Sequence, residues 1–191
     1  MPTDFLVIDI ETAPVIPTPH DMQDEERRKK INPIDSRVVA VGMMDASGSR
    51  AFMHEDEAKI LRETWAAWKA FRLSNPGAPI VGFNHTSFDI PFLVTRSFIL
   101  GVPIHPFSVR DLIDIRDKLR AYAYGEQRGK LKELATMIGL PILDVDGSDV
   151  EGLWRSGEHA KLEAYLIKDL EITRAMYSRL VDLNIDKIQR F

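Results

Sequence analysis

A short apolar stretch near the N-terminus, residues 5–12 with the sequence FLVIDIET, carries two carboxylates inside a run of strand-forming residues. Successive side chains of a strand point to opposite faces, so Asp9 and Glu11 project from the same face as Val7, which should be buried. Two like charges held close together on such a surface repel each other and lose hydration. No Lys or Arg precedes Arg27. A divalent cation such as Mg²⁺ or Mn²⁺, which prefers carboxylate oxygens, is the simplest compensating charge.

This pattern is weak when it is taken alone. Asp-x-Glu also occurs at Asp24/Glu26, Asp149/Glu151 and Asp169/Glu171. A strand that ends in water, with both acids solvated, is the alternative interpretation. The pair at the first strand therefore needs partners from elsewhere in the chain before it indicates a metal site.

The size and composition of the chain suit one globular domain spanning residues 1–191. Its 191 residues, 45% hydrophobic and 28% charged, are enough for a substantial core. The lack of cysteine excludes disulfides, thiolate metal sites and a cysteine nucleophile. No apolar run approaches the roughly 18 residues of a membrane span, and the N-terminus has no secretory signal pattern, so we expect a cytoplasmic protein without a membrane partner. The net charge of −4 argues against bulk duplex binding, but clustered acids at a metal site would themselves lower the net charge.

The apolar patterns predict an α/β domain with a mixed sheet. Strands are predicted over residues 4–10, 37–44, 50–53 and 79–83, and helices over 55–73, 90–100, 131–138 and 158–181. Residues 108–113 are either a fifth strand or the lead-in to a helix. Thr86 or Ser87 is the expected N-cap of the helix over 90–100. The Pro-rich and then charged residues 13–35 predict a surface excursion with one short helix, or a flap beside the end of the first strand.

Two further acids occur in suggestive positions. Asp89 follows a predicted strand in the first turn of a helix, where capping is the ordinary explanation. Asp169 lies four residues after Tyr165 in the last helix, so both side chains share an otherwise apolar face, or else its solvent-exposed edge. Together with Asp9 and Glu11 these carboxylates suit two divalent ions about 4 Å apart, which stabilise the attacking and leaving oxygens of a displacement at phosphorus. Tyr165 is a neutral donor that can position the attacking water.

Three segments together resemble the exonuclease motifs of the DEDD superfamily: DIET at residues 9–12, NHTSFD at 84–89 and YLIKD at 165–169. The Tyr-x-x-x-Asp form of the third is similar to the tyrosine subgroup, since the histidine subgroup would need His where this chain has Ala164. The flanking sequences, DIPFL after the second motif and LKELATMIGLP before the third, most resemble stand-alone exonuclease domains related to the proofreading domain of family B DNA polymerases. The resemblance covers residues 4 to about 180.

The resemblance implies a ribonuclease H-like three-layer fold with a central mixed five-stranded sheet flanked by helices. It implies a metal-dependent 3′–5′ exonuclease that releases nucleoside monophosphates from single-stranded or frayed ends of DNA or RNA. Two Mg²⁺ or Mn²⁺ ions would be held by four carboxylates: Asp9, Glu11, Asp89 and Asp169. Tyr165 would orient the attacking water. The substrate end would meet Thr12, Asn84, His85 and Phe88. One departure is Leu166, because relatives often have a small polar residue or Cys directly after the motif tyrosine.

A nucleic-acid partner needs a binding surface, and residues 110–132 contain seven basic and four acidic residues. The basic ones are Arg110, Arg116, Lys118, Arg120, Arg128, Lys130 and Lys132. Tyr122 and Tyr124 lie among them and are candidates for base stacking, whereas a solvated helix of mixed charge is the alternative. Residues 27–30 form a second basic candidate. Two other functions stay open on the same fold, a structure-specific endonuclease and a catalytically silent nucleic-acid-binding module, and the sequence does not reveal a polymerase or repair partner acting in trans.

Overall fold

The computed structural model describes residues 4–19, 22–123, 125, 129–143 and 147–189. Tyr124, Arg128 and the side chains of Arg27 and Arg28, which the sequence offered as nucleic-acid contacts, lie outside this described part. Among the described residues, none of the helices combines the length and apolarity needed to cross a bilayer.

Five strands form one mixed sheet in the spatial order β3-β2-β1-β4-β5. They are β1 (Leu6–Pro14), β2 (Ser36–Asp45), β3 (Gly48–Met53), β4 (Ile80–Gly82) and β5 (Leu112–Asp114). β1 pairs antiparallel with β2 and parallel with β4, while β4 pairs parallel with β5. The segment at 108–113 therefore contains a strand, preceded by a 3₁₀ turn at Val109–Asp111.

Helices cover both faces of this sheet. They are α1 (Asp24–Lys29), α2 (Glu57–Ser74), α3 (Asp89–Leu100), α4 (Ile115–Leu119), α5 (Leu131–Met137), α6 (Val150–Arg155) and α7 (His159–Asp182). Ile8 and Ile10 of β1 pack in the core formed with α2 and α3, which also buries Trp68 completely. Val7 packs against Leu170 of α7 on the opposite face. The predicted mixed five-stranded sheet flanked by helices is confirmed, and the alternation of β1 directs Asp9 and Glu11 toward the α7 layer.

β1 runs four residues beyond the predicted end at residue 10, because β2 pairs with it as far as Pro14. The register shifts between Glu11, which pairs with Ala40, and Thr12, which pairs with Val38. Val39 is thus the extra residue of a β-bulge opposite the step from Glu11 to Thr12. It is fully buried in a cluster that includes Tyr165 of α7.

Helix α7 lies unusually close to the sheet at Gly42, the β2 residue paired with Asp9. A Cβ atom on Gly42 would lie 2.8 Å from side-chain atoms of both Leu166 and Leu170. Leu166, which departs from the family pattern, is fully buried in this contact. The glycine and the two leucines therefore set the distance between the acids of β1 and the motif residues of α7.

The predicted N-cap of α3 is wrong. The helix begins at Asp89, its N-cap residue is Phe88, and no side chain caps it. Thr86 instead donates its hydroxyl to Asp114, 28 residues further along the chain. The short helix α6 was not predicted, and α4 lies where the sequence left a helix open as an alternative, because five or six residues are too few to show a helical period.

Candidate active site

Three carboxylates from β1 and α7 converge on one point. Asp9, Glu11 and Asp169 each offer an oxygen atom, and these oxygens all lie within 4.8 Å of one another. Glu11 and Asp169 are buried, while Asp9 is partly exposed. Burial, followed by repulsion from the neighbouring carboxylates, raises the pKa of Asp9 and of Glu11 well above the usual carboxyl range. The cluster carries more negative charge than its protein surroundings compensate.

Asp89 lies beside this group but is not one of the three converging residues. Its Oδ1 accepts the backbone N–H of Ile10 at 3.0 Å. Because β4 ends at Gly82, Asp89 takes over the hydrogen bonding along that edge of β1. Burial raises the pKa of Asp89 to about 6, although the charge of His85 acts to lower it. Its charge in turn raises the pKa of Asp9, so it belongs electrostatically to the cluster.

Tyr165 contributes a buried phenol to the same point. Burial and the surrounding carboxylates raise its pKa far above the usual tyrosine value, which keeps the hydroxyl neutral. A hydrogen bond from this hydroxyl lowers the pKa of Asp169, although burial has the larger effect and leaves that pKa raised. The Asp169 Oδ1 atom is buried and has no hydrogen-bond partner among the residues that the structure describes. A carboxylate oxygen in that state is available to a ligand.

Lys132 belongs to the site, although sequence reasoning assigned it to a surface that binds nucleic acid. Its Nζ lies 4.5 Å from the centre of the Tyr165 ring and attracts both Glu11 and Asp169. This amine is buried without a hydrogen-bond acceptor within the described part of the chain. A signal did exist, since Lys132 shares a helix face with Ala135, which is completely buried.

A second buried acid, Asp114 at the end of β5, organises the loop that leads to Asp89. Its carboxylate accepts the backbone N–H of Asn84 at 2.9 Å and of Thr86 at 3.0 Å, and it caps α4. His85 Nδ1 lies 3.4 Å from it. Burial acts to raise the pKa of Asp114, but the contacts with His85 and Thr86 outweigh burial and hold the pKa at about 2. Sequence reasoning missed this residue, although an Asp between a strand and a helix is a typical N-cap.

The predicted substrate contacts differ in their surroundings. Thr12 follows the bulge at the end of the acidic stretch and is partly exposed, as is Asn84. Phe88 is half-buried, with its ring 5.5 Å from that of Phe92. His85 is fully buried beneath Gly82, where a Cβ atom would lie 2.6 Å from the imidazole. His85 is therefore inaccessible to a nucleic-acid strand in this conformation, and its predicted substrate contact stays a prediction.

The chain is similar to a family of predicted exonuclease domains and to two proteins of other organisms. Residues 104–188 match the family described as "Predicted 3'-5' exonuclease related to the exonuclease domain of PolB". An uncharacterized protein of Methanocaldococcus jannaschii is 28% identical over 166 residues, which are 81% of this chain and 92% of that protein. The catalytic subunit of DNA polymerase delta of Candida albicans is 29% identical over 101 residues, half of this chain but 9% of the polymerase.

Among solved structures, the family B DNA polymerase of the archaeon Pyrobaculum calidifontis superposes with a TM-score of 0.73 at 20% identity. The match covers 97% of this chain and 25% of the polymerase chain. This similarity confirms the ribonuclease H-like fold. The chain is thus similar to the exonuclease domain of family B DNA polymerases, as its three motifs indicated, and its membership of the DEDD superfamily and of the tyrosine subgroup remains a prediction.

Proposed function

We propose that this protein is a metal-dependent 3′–5′ exonuclease that hydrolyses the terminal phosphodiester of single-stranded or frayed nucleic acid and releases nucleoside monophosphates. The observation that carries this proposal is the convergence of Asp9, Glu11 and Asp169 within 4.8 Å, beside the neutral phenol of Tyr165. The relationship to polymerase exonuclease domains supports the same conclusion.

The donor set fits hard divalent cations. It consists of carboxylates, which Mg²⁺ and Mn²⁺ prefer, and it includes the unpartnered Oδ1 atom of Asp169. The raised pKa values of Asp9 and Glu11 indicate a shortage of positive charge that such ions would relieve. Asp89, with one oxygen committed to the backbone of β1, would be the fourth ligand. When bound, two ions would lower the pKa of the attacking water and stabilise the leaving 3′ oxygen.

Two side chains of the site have roles apart from metal binding. The Tyr165 hydroxyl stays protonated at neutral pH, so it can orient a water molecule by hydrogen bonding without competing as an anion for a metal. The Lys132 ammonium lies within the same group of side chains and carries a fixed positive charge toward the carboxylates. It would stabilise the negative charge of the phosphate that enters the site.

A digestion panel tests this proposal. Single-stranded DNA and RNA with labelled 5′ ends would be incubated with Mg²⁺, with Mn²⁺ or with chelator, and each would also be supplied with a blocked 3′ end. We expect progressive shortening from the free 3′ end, mononucleotide products, and no reaction with chelator. Internal fragments from the blocked substrate would indicate an endonuclease. An absence of hydrolysis with either metal, together with retained binding, would indicate a silent binding module.

A further inference from the structure

A cleft of about 440 Å³ opens between the residues that follow β4, helix α4 and the start of α5. Asn84, Arg116 and Lys130 line it, together with Phe83 and Glu133. Asn84 belongs to the loop that leads into Asp89, and Lys130 precedes the site residue Lys132 by two positions. The cleft is therefore lined by residues that are near Asp89 and Lys132 along the chain, and its volume lies in the range of ligand-binding pockets, about 300–1,000 Å³.

The polar groups of the cleft are arranged as donors. Arg116 Nη1 donates to the side-chain oxygen of Asn84 at 3.0 Å. With its oxygen engaged, the Asn84 amide presents its NH₂ group as a further donor. Among the described lining residues, the one acid is Glu133, which accepts the backbone N–H of Lys130 at 2.9 Å. Two cations and an amide of the described lining thus face the cleft, while the Glu133 carboxylate is partly satisfied by the start of α5.

Other basic residues of the 110–132 stretch are committed to the fold. The Lys118 amine donates to the carbonyls of Asp186 and Ile188 and lies 5.7 Å from the Tyr122 ring. Arg120 donates to the carbonyl of Ala123 at 2.8 Å. Within the described part of this stretch, the charges of Arg116 and Lys130 are the two that line the cleft. Of the seven basic residues, Arg116 and Lys130 are therefore the two that line this cleft, while Arg128 lies outside the described residues.

We propose that this cleft binds the nucleotide that precedes the released one, on its 5′ side, with Arg116 and Lys130 contacting its phosphate. Charge-assisted hydrogen bonds from Arg and Lys are the usual means of holding a phosphate, and Arg can offer two parallel donors. Asn84 adds an amide donor, and Phe83 provides an apolar wall beside the sugar and base. The inference rests on the proposed exonuclease function, since a neighbouring nucleotide exists only on a polymeric substrate.

Two substrates distinguish an effect on this subsite from an effect on the catalytic centre. One is a short single-stranded oligothymidylate, and the other is the p-nitrophenyl ester of thymidine 5′-phosphate, which has one nucleoside and no 5′ neighbour. For Lys130→Gln and Arg116→Gln we expect the ratio of kcat/KM for the oligonucleotide to kcat/KM for the ester to fall about tenfold, mainly through KM. A ratio equal to that of the wild type would overturn the subsite.

A control removes two positive charges, one more than either single variant, from the opposite layer. Lys59 and Lys69 are exposed on α2, which packs on the other face of the sheet from α7. The double variant Lys59→Gln/Lys69→Gln should keep the wild-type ratio. An equal fall in this control would show that the ratio responds to net charge rather than to the cleft, which would also overturn the proposal.

Binding gives a readout that does not depend on hydrolysis. The affinity of each variant for the oligothymidylate would be measured at several salt concentrations without added metal. Each lost phosphate contact should reduce the slope of log K against log salt by about 0.7 for a single strand. If the wild type hydrolyses neither substrate, the proposed exonuclease function fails, while this slope still tests the cleft. Variant slopes equal to the wild-type slope would contradict the proposed phosphate contacts in the cleft.

Discussion

The buried acids of this protein fall into two regions with opposite electrostatics. Asp114 is buried, receives hydrogen bonds from the loop at Asn84 and Thr86, and has a pKa held at about 2. Asp169 is similarly buried, has an oxygen without a partner in the described chain, and has a raised pKa. The residue type and the burial are alike, so neither explains the difference. The difference lies in hydrogen bonding. Asp114 accepts hydrogen bonds that stabilise its charge, whereas Asp169 has an oxygen atom that accepts none from the described residues and is available to a ligand.

The largest effect should come from removing a carboxylate of the cluster. We expect Asp9→Ala or Asp169→Ala to lower kcat/KM more than about a hundredfold, because the charge that would hold the metal is lost. The metal-free protein should stay folded, since the substitution also removes repulsion. Steady-state hydrolysis and urea unfolding measure the two effects. Asp182→Asn, at an exposed position on α7, is the control and should match the wild type.

Asp114→Asn should have the opposite profile, with its main effect on stability. The amide can accept fewer of the hydrogen bonds that the loop at 84–86 and α4 now donate, so we expect a loss of about 2 kcal/mol in the free energy of unfolding. Urea unfolding checks this value. A loss of activity with unchanged stability would show that Asp114 belongs with the catalytic acids and would remove the contrast between the two regions.

Tyr165→Phe sharpens the comparison inside the site. This change removes the hydroxyl that contacts Asp169 but leaves every carboxylate in place. We expect kcat to fall about tenfold to a hundredfold, with Mn²⁺ affinity within about threefold of the wild type. Calorimetric titration with Mn²⁺ and single-turnover hydrolysis separate the two quantities. An equal loss of metal binding would contradict the water-orienting role.

The pH dependence of stability gives the smallest and most specific effect. In chelator, the raised pKa of Asp89 means that the folded state holds a proton that the unfolded state has released. Stability should therefore fall as pH rises from the usual carboxyl pKa of about 4 to about 6. Asp114 contributes the reverse trend, with stability lost only as pH falls below about 4 toward 2. Urea midpoints across this range should decline with pH in chelator and much less with Mg²⁺.

The sequence predicted those parts of the site that depend on local spacing. Asp9 and Glu11 share a strand face, and Tyr165 and Asp169 share a helix face, so short-range geometry was sufficient. Asp114 was missed, and Lys132 was assigned to a different surface, because their partners are distant along the chain. Asp114 bonds to Thr86, 28 residues away, and no periodicity reveals such a contact. The same contact explains why Thr86 does not cap α3.

The arrangement of the sheet was predictable for a different reason. Apolar runs and the turn at Gly48 indicated four of the five strands, while residues 108–113 were left open between a strand and the lead-in to a helix. The extension of β1 to Pro14 depends on pairing with β2. The bulge at Val39 and the close approach at Gly42 also depend on packing against α7. These tertiary features set how Asp9 and Asp169 meet, and they are not encoded in either segment alone.

The most direct test of the account is a calorimetric titration of the wild type and of Asp169→Asn with Mn²⁺, repeated in buffers of different ionisation enthalpy. Carboxyls with raised pKa values must release protons when a metal binds. We predict saturation at two ions per chain with net proton release in the wild type, and a large loss of both in the variant. Binding that is equal in the two proteins, or that releases no protons, would contradict the claim that these buried acids form a metal site.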